Sequence, residues 1–342
     1  MPCNRPLTGY YAKRLNSSGK RSIVFNQREA QDDDQVKLPC GRCMGCRLEH
    51  SRQWALRCYH EASAFDENCF ITLTYSPENL PPGGSLDPAH PVAFMKRLRE
   101  KHGKGIRSYG CAEYGEKLGR PHYHLCLFNF DWKDKKLAYE RNGFKLYDSE
   151  DLERLWGLGH CKTAEFSFET AAYVARYITK KMHGKNYKDA QGNTIQIEDR
   201  VSSHYTKMNE ETGEYLRIMP ERPVCVSRRP GIGRTWWDLH HERLQTQDTV
   251  ILRNKEVRPP KYYDYLLEKL NPNSLHSIKQ IRKQNGLKQL SKIQSENHQN
   301  YLNWKQNGGH LSDLPQLRQD VTDEVLKLKM EMNPRKFENG KN

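Results

Sequence analysis

The stretch GRPHYHLCLF, Gly119 to Phe128, reads as a hydrophobic strand that carries two histidines one residue apart, His122 and His124. Side chains alternate between the faces of a strand, so positions i and i+2 point the same way. Both imidazoles therefore share one face, and Tyr123 and Leu125 take the other. Neutral imidazole is a common ligand for divalent metals, and two on one face make half of a site. A pair of hydrogen-bonded core histidines is the alternative, and an H-x-H by itself does not decide between them.

The elements around this strand follow from local signals. CFITLTY, Cys69 to Tyr75, is β-branched and aromatic and reads as a strand, followed by the turn residues of SPENLPPGG. Asp87 and Pro88 suit a cap and a first helical position, opening a helix through VAFMKRLREKH that ends at Gly103. IRSYGCAEY and PHYHLCLFNF, separated by GEKLGR, form a hairpin. Asp148 caps a short helix over SEDLERLW, HCKTAEFSF is a weaker strand, and ETAAYVARYITKKM is a helix closed by Gly184, with Lys180 and Lys181 complementing its dipole. Strand, helix, strand, strand, helix, strand is the split βαβ or ferredoxin-like order, an antiparallel α+β sheet with its first and third strands side by side. The H-x-H strand is the third, so its histidines fall mid-sheet, on a face against which the last helix can pack.

Four segments result. Residues 1–66 are a Cys-rich N-terminal segment ending in a linking helix, where Trp54, Cys58, Ala62 and Phe65 recur at helical spacing. Residues 67–185 are the core, 186–261 a polar insertion and a basic Arg/Trp segment, and 262–342 a polar tail of helical tendency. In SRRPGIGRTWW, Ser227 to Trp237, Arg228, Arg229 and Arg234 are candidate DNA contacts, as is Lys181. A turn that docks two core tryptophans explains the same stretch.

Lys and Arg number 56 against 42 Asp and Glu, a net charge of +14 over 342 residues, which suits a polyanionic partner such as nucleic acid. No apolar run approaches the roughly 20 residues that span a bilayer, and MPCNRPLTGYYAKRLN lacks the apolar core of a signal peptide. The expectation is a soluble cytosolic protein with no membrane partner. Cysteines in such a chain are thiols or metal ligands rather than a disulfide framework. Cys58, Cys69, Cys111, Cys126, Cys161 and Cys225 read as small buried hydrophobes. CGRCMGC is different: Cys40 and Cys43 converge across a glycine turn as in a zinc knuckle, Cys46 is a third ligand, and the fourth is Cys3 or His50. The cofactor expected there is structural Zn2+, with free thiols on a basic loop as the alternative.

The last core helix carries Tyr173 and Tyr177, one turn apart on one face, with Lys180 on nearly the same side. Glu113 stands nine residues before His122 and can meet it across the turn; Glu116 is also within reach. Two imidazoles and a carboxylate suit Mg2+ or Mn2+ with positions left open for phosphate oxygens. A tyrosine beside that group can attack a phosphodiester and keep the bond energy in a phosphotyrosine.

PHYHLCLF resembles the His-hydrophobe-His motif of HUH endonucleases, FITLTYS their first motif, and YVARYITKK their tyrosine motif in its two-tyrosine form. Histidines before tyrosines is the order of replication initiators. Over residues 40 to 237, with CGRCMGC ahead of the core, the chain resembles rolling-circle replication initiation proteins of small single-stranded-DNA phages, the Microviridae of gokushovirus type. The resemblance implies His122 and His124, with Glu113 less surely, as metal ligands, Tyr173 and Tyr177 as paired nucleophiles, and Lys180 as the lysine one turn beyond. It implies a site-specific nick at origin DNA, a 5′-phosphotyrosyl link, a free 3′-OH for host polymerase, and circularisation in the host cell cytoplasm. No G-x-x-x-x-G-K-[ST] is present, so strand separation would fall to a host helicase. A histidine-triad hydrolase is disfavoured because Cys126 stands at the third histidine position. A non-catalytic, zinc-containing nucleic-acid-binding protein explains the charge and the cysteines but leaves Tyr173, Tyr177 and His122 as coincidences.

Overall fold

The computed structural model describes residues 3, 6–17, 19–115, 118–141, 143–177, 187–188, 194–195, 205–208 and 213–307. They belong to two compact units that meet in sequence between His50 and Ser51. The first unit holds a three-stranded antiparallel sheet of β1 (Leu7–Leu15), β2 (Arg21–Val24) and β3 (Val36–Leu38), in the order β2-β1-β3. Helix α1 (Met44–Ala62) begins inside CGRCMGC, seven residues before the Ser51 start expected from its apolar spacing.

The second unit is built on β4 (Asn68–Thr74), α2 (Ala89–His102), β5 (Arg107–Tyr114), β6 (Pro121–Phe128), β7 (Lys136–Arg141), β8 (Phe144–Asp148), α3 (Glu150–Trp156), β9 (Cys161–Glu165) and α4 (Phe168–Tyr177). Two-residue and three-residue hairpin strands follow, β10 (Tyr187–Lys188) with β11 (Thr194–Ile195) and β12 (Thr206–Met208) with β13 (Tyr215–Arg217), then β14 (Arg222–Val224). The large sheet runs β14-β5-β6-β4-β9-β8-β7, antiparallel throughout. Its middle four strands keep the order expected from the sequence, with β4 and β6, the first and third, as neighbours.

Three strands extend the sheet beyond that expectation. The segment before α3 is the hairpin β7–β8, not a plain polar connection, and β14 from the polar insertion completes the other edge against β5. The cap of α3 is Ser149 rather than Asp148: the Ser149 hydroxyl accepts from the Leu152 amide at 3.1 Å, which a serine at this position does well. Asp87 accepts from the Ala89 amide at the start of α2, and Gly103 closes that helix.

Alternation along β6 divides the core. Tyr123, Leu125 and Leu127 pack with Phe94, Met95 and Leu98 of α2 and Trp156 of α3. Cys126 and Phe128 face the other way, among Phe70, Tyr109, Ala55 and Cys58 of α1, and Ala171 and Val174 of α4. The sheet is thus covered on both faces, and the histidines lie on the α1/α4 side. All ten cysteines are free thiols, and Cys58, Cys69, Cys111, Cys126 and Cys161 are buried as expected.

Helix α5 (Arg234–Gln247), the β15 (Val250–Leu252) and β16 (Lys255–Val257) hairpin, α6 (Lys261–Leu270) and the 35-residue α7 (Pro272–Gln306) complete the described chain. Among the described residues, no helix is long and apolar enough to cross a membrane.

Candidate active site and cysteine centre

The register of three strands builds the first site. Across β5 and β6, Glu113 stands opposite His122 and Cys111 opposite His124. Across β6 and β4, Thr74 stands opposite His122 and Thr72 opposite His124. Cross-strand partners share a face, so Glu113, His122, His124, Thr72 and Thr74 project together. Glu113 and His124 are buried, at 3% and 5% exposure.

His124 Nε2 lies 2.8 Å from Glu113 Oε1, and its Nδ1 lies 3.0 Å from the Thr72 hydroxyl. His122 Nδ1 lies 3.1 Å from the Thr74 hydroxyl. The two imidazole centroids are 6.3 Å apart. Two neighbouring ligands of an octahedral Mg2+, each at about 2.1 Å, stand about 3 Å apart, close to the Glu113–His124 spacing. On the far edge of His122, Gly115 approaches closely: a Cβ there would come 2.8 Å from Nε2, nearer than a side chain tolerates. The donor set and the Glu113–His124 spacing fit a divalent cation. His122 stays apart from the other two, because among the described residues only the cysteine group brings three or more ligand atoms within 4.8 Å of one another.

Helix α4 carries Tyr173 onto this face. Its ring meets His124 edge-on at 5.1 Å and Phe70 at 6.1 Å, and it is 8% exposed. Tyr177 is the last residue of α4, one turn further along; its side chain, Lys180, Lys181 and Glu116 lie outside the described residues.

Arg228 and Arg229 are exposed, just past Ser227, whose amide donates to the Ser108 carbonyl at 2.9 Å. Ser108 is the second residue of β5 and Glu113 the last but one, so this anchor stands about 17 Å along the strand from the histidine site. Arg234 is engaged elsewhere: its Nε donates to Asp238 at 2.7 Å and its guanidinium lies 5.0 Å from the Trp237 ring. Trp237 is buried with Leu56, Leu244 and Tyr263, and Trp236 stacks on His60 at 3.7 Å. Both tryptophans therefore serve packing. Glu61 of α1, fully buried, pairs with Arg107 and accepts from the Gly233 amide at 2.6 Å, fixing the glycine turn before α5.

The second site lies in the first unit. Cys3, Cys40, Cys43 and Cys46 bring their sulfurs within 4.8 Å of one another, and His50 is outside the group, so Cys3 takes the fourth place. Cys43 Sγ is 3.8 Å from Cys3 Sγ, and Cys40 Sγ is 4.0 Å from Cys46 Sγ. Sulfurs each about 2.3 Å from one tetrahedral Zn2+ stand about 3.8 Å apart. The Cys43 and Arg42 amides donate to Cys40 Sγ at 3.3 and 3.4 Å, a turn that Gly41 permits with φ of +74°. Burial, together with hydrogen bonds that the thiol donates to Cys3 and Cys43, pushes Cys46 up to about 12. The group could hold a metal ion.

Sequence reasoning passed over Thr72 and Thr74 as individual residues. The T-x-T alternation of β4 opposite the H-x-H of β6 was the available signal.

The large antiparallel sheet thus carries a histidine-carboxylate face beside the tyrosine of α4, and comparison with known proteins gives the family of the chain. Residues 68–182 match the family model of replication-associated protein ORF2/G2P. The chain belongs to the replication-associated proteins of small phages of the Microviridae type. It is 30% identical over 345 residues to replication-associated protein VP4 of Bdellovibrio phage phiMH2K, covering 96% of this chain and 97% of that one. It is 30% identical to replication-associated protein ORF2 of Spiroplasma virus 4, covering 79% of this chain and 81% of the relative. Against replication-associated protein ORF4 of Chlamydia phage 1 the identity is 34%, over 68% of this chain and 59% of the other. No solved structure matches.

Proposed function

We propose that the chain is an HUH-type endonuclease that starts and ends rolling-circle replication of a phage genome in the host cell cytoplasm, cutting one strand of origin DNA through a 5′-phosphotyrosyl intermediate. The observation that carries this reading is the convergence of His124, Glu113 and Tyr173 on one face, with His122 on the same strand, in a chain of the phage replication-associated family.

Tyr173 or Tyr177 attacks the scissile phosphorus. A bond forms between the phenolic oxygen and phosphorus, the bond from phosphorus to the 3′ oxygen breaks, and the proton lost by the phenol is balanced by the one gained by the leaving 3′-OH. That 3′-OH then primes a host polymerase, with a host helicase opening the duplex ahead. Because a free phenol has a pKa of about 10, the attack needs nearby positive charge, a role for Lys180. Mg2+ or Mn2+ held by His122, His124 and Glu113 would polarise the phosphate. Two tyrosines one helical turn apart allow one to hold the 5′ end while the other attacks the regenerated origin. The cysteine group is proposed to hold structural Zn2+ as a rigid accessory unit.

The test is incubation of the purified chain with labelled single-stranded DNA of its own replicon, with Mn2+ or with EDTA. Metal-dependent label that survives denaturing electrophoresis is the expected result. Binding of a verified origin strand without any adduct would leave a zinc-containing DNA-binding protein and no nuclease.

A further inference from the structure

We propose that Thr72 and Thr74 are positioning residues that set which imidazole nitrogen His124 and His122 present to a divalent cation. The inference rests on the metal-site reading of the preceding subsection.

The arrangement is repeated. Two rungs of one antiparallel ladder each place a threonine opposite a histidine, with hydroxyl-to-Nδ1 distances of 3.0 Å for Thr72–His124 and 3.1 Å for Thr74–His122. An ordinary strand threonine in the same sheet behaves differently: the Thr163 hydroxyl donates to the Phe70 carbonyl. Threonine is well suited to the task, since its β-branch stiffens χ1 in a strand and so aims the hydroxyl.

A hydroxyl can donate or accept. It donates to Nδ1 while His124 Nε2–H is bonded to Glu113, and it accepts from Nδ1–H when Nε2 offers its lone pair to a cation. A carbonyl at that place can only accept, which would hold the imidazole in one tautomer. The threonine pair therefore lets the site exist in both states without an unsatisfied ring nitrogen. Such outer hydrogen bonds orient a metal-binding histidine and raise its basicity, and their loss typically costs about 10- to 100-fold in metal affinity.

The experiment is calorimetric titration of Mn2+ into the full chain, with the Mn2+ resonance signal as an independent measure of binding. Four forms are compared: wild type, Thr72→Val with Thr74→Val, and each threonine changed to serine. The valine pair keeps shape and strand preference but has no hydroxyl. The expected result is a 10- to 100-fold loss of Mn2+ affinity in the valine pair, largely restored by serine. A valine pair that binds as tightly as wild type, or serine forms as weak as the valine pair, overturns the inference alone. A wild-type chain that binds no Mn2+ overturns the metal-site reading, and this inference with it. Should the double valine chain not fold, Thr74→Val, at the less buried histidine, carries the same comparison.

Discussion

The two faces of β6 come from one eight-residue strand and do opposite things. Tyr123, Leu125 and Leu127, on the odd positions, disappear into an apolar layer under α2 and α3. His122 and His124, on the even positions, meet threonines, a carboxylate and a tyrosine ring under α4. Burial is nearly equal, since Leu125 is 0% and His124 5% exposed, so what separates core from chemistry is hydrogen-bonding partners and not depth. A buried polar side chain is tolerated where neighbouring strands satisfy it, and here each histidine has a threonine on its own rung of β4, while Glu113 of β5 reaches His124.

The most direct way to break this contrast is to remove one side chain from each face. His122→Ala should bring adduct formation to background while the melting temperature changes little, measured by denaturing electrophoresis and calorimetry on the same sample. Full activity in that variant would return the histidine face to ordinary packing. Outside the sheet, Cys40→Ser with Cys43→Ser should lose the bound zinc as measured by elemental analysis; an unchanged zinc content contradicts the four-thiolate centre. On the apolar face, Leu125→Ala should cost about 2–5 kcal/mol of stability, read from denaturant unfolding, yet leave adduct yield per folded molecule unchanged.

A smaller effect concerns His60, buried against Trp236 and Tyr263, where Nδ1 lies 2.8 Å from the Tyr263 hydroxyl. Burial pushes His60 from its usual 6.5 down to about 3, with the charge of His240 adding to the effect. The unfolded chain then binds a proton that the folded chain does not. Stability is fully present above about pH 6.5 and falls by up to about 1.4 kcal/mol for each pH unit below it. Unfolding curves at pH 7 and pH 5 should show this fall, reduced in His60→Asn; an unchanged pH slope in the variant contradicts the assignment. The smallest expected change is in Arg228→Ala with Arg229→Ala. The salt dependence of single-stranded DNA binding should flatten by about 0.7 in log–log slope per lost phosphate contact, and an unaltered slope removes these arginines from the interface.

What could be read ahead of the structure follows from where each signal lies. β4, α2, β5, β6, α3, β9 and α4 are written locally, as alternation, helical spacing and capping residues, and the strand order follows from their succession. β14 is three residues long, contains Pro223, and is a strand only because Ala112, Cys111 and Gly110 of β5 lie beside it, 110 or more positions earlier. The N-terminal sheet was missed for a similar reason: β1 leaves Leu7, Tyr11 and Leu15 exposed, which blurs its alternation. Within the site, the histidines announced themselves, but that Glu113 bonds His124 rather than its direct partner His122 depends on side-chain reach across the ladder, which spacing along the chain does not encode. The same holds for the Arg/Trp stretch, whose tryptophans are drawn inward by His60 and Tyr263 from distant parts of the sequence.

Whether a tyrosine of α4 holds the cut strand is read by digesting the denatured protein–DNA product and locating the nucleotide by mass spectrometry. The expected product is a phosphotyrosyl nucleotide on the peptide that bears Tyr173 and Tyr177, shifting to the remaining tyrosine when either is changed to phenylalanine. A nucleotide attached at any other residue, or a cleaved strand with no protein attached, would contradict it.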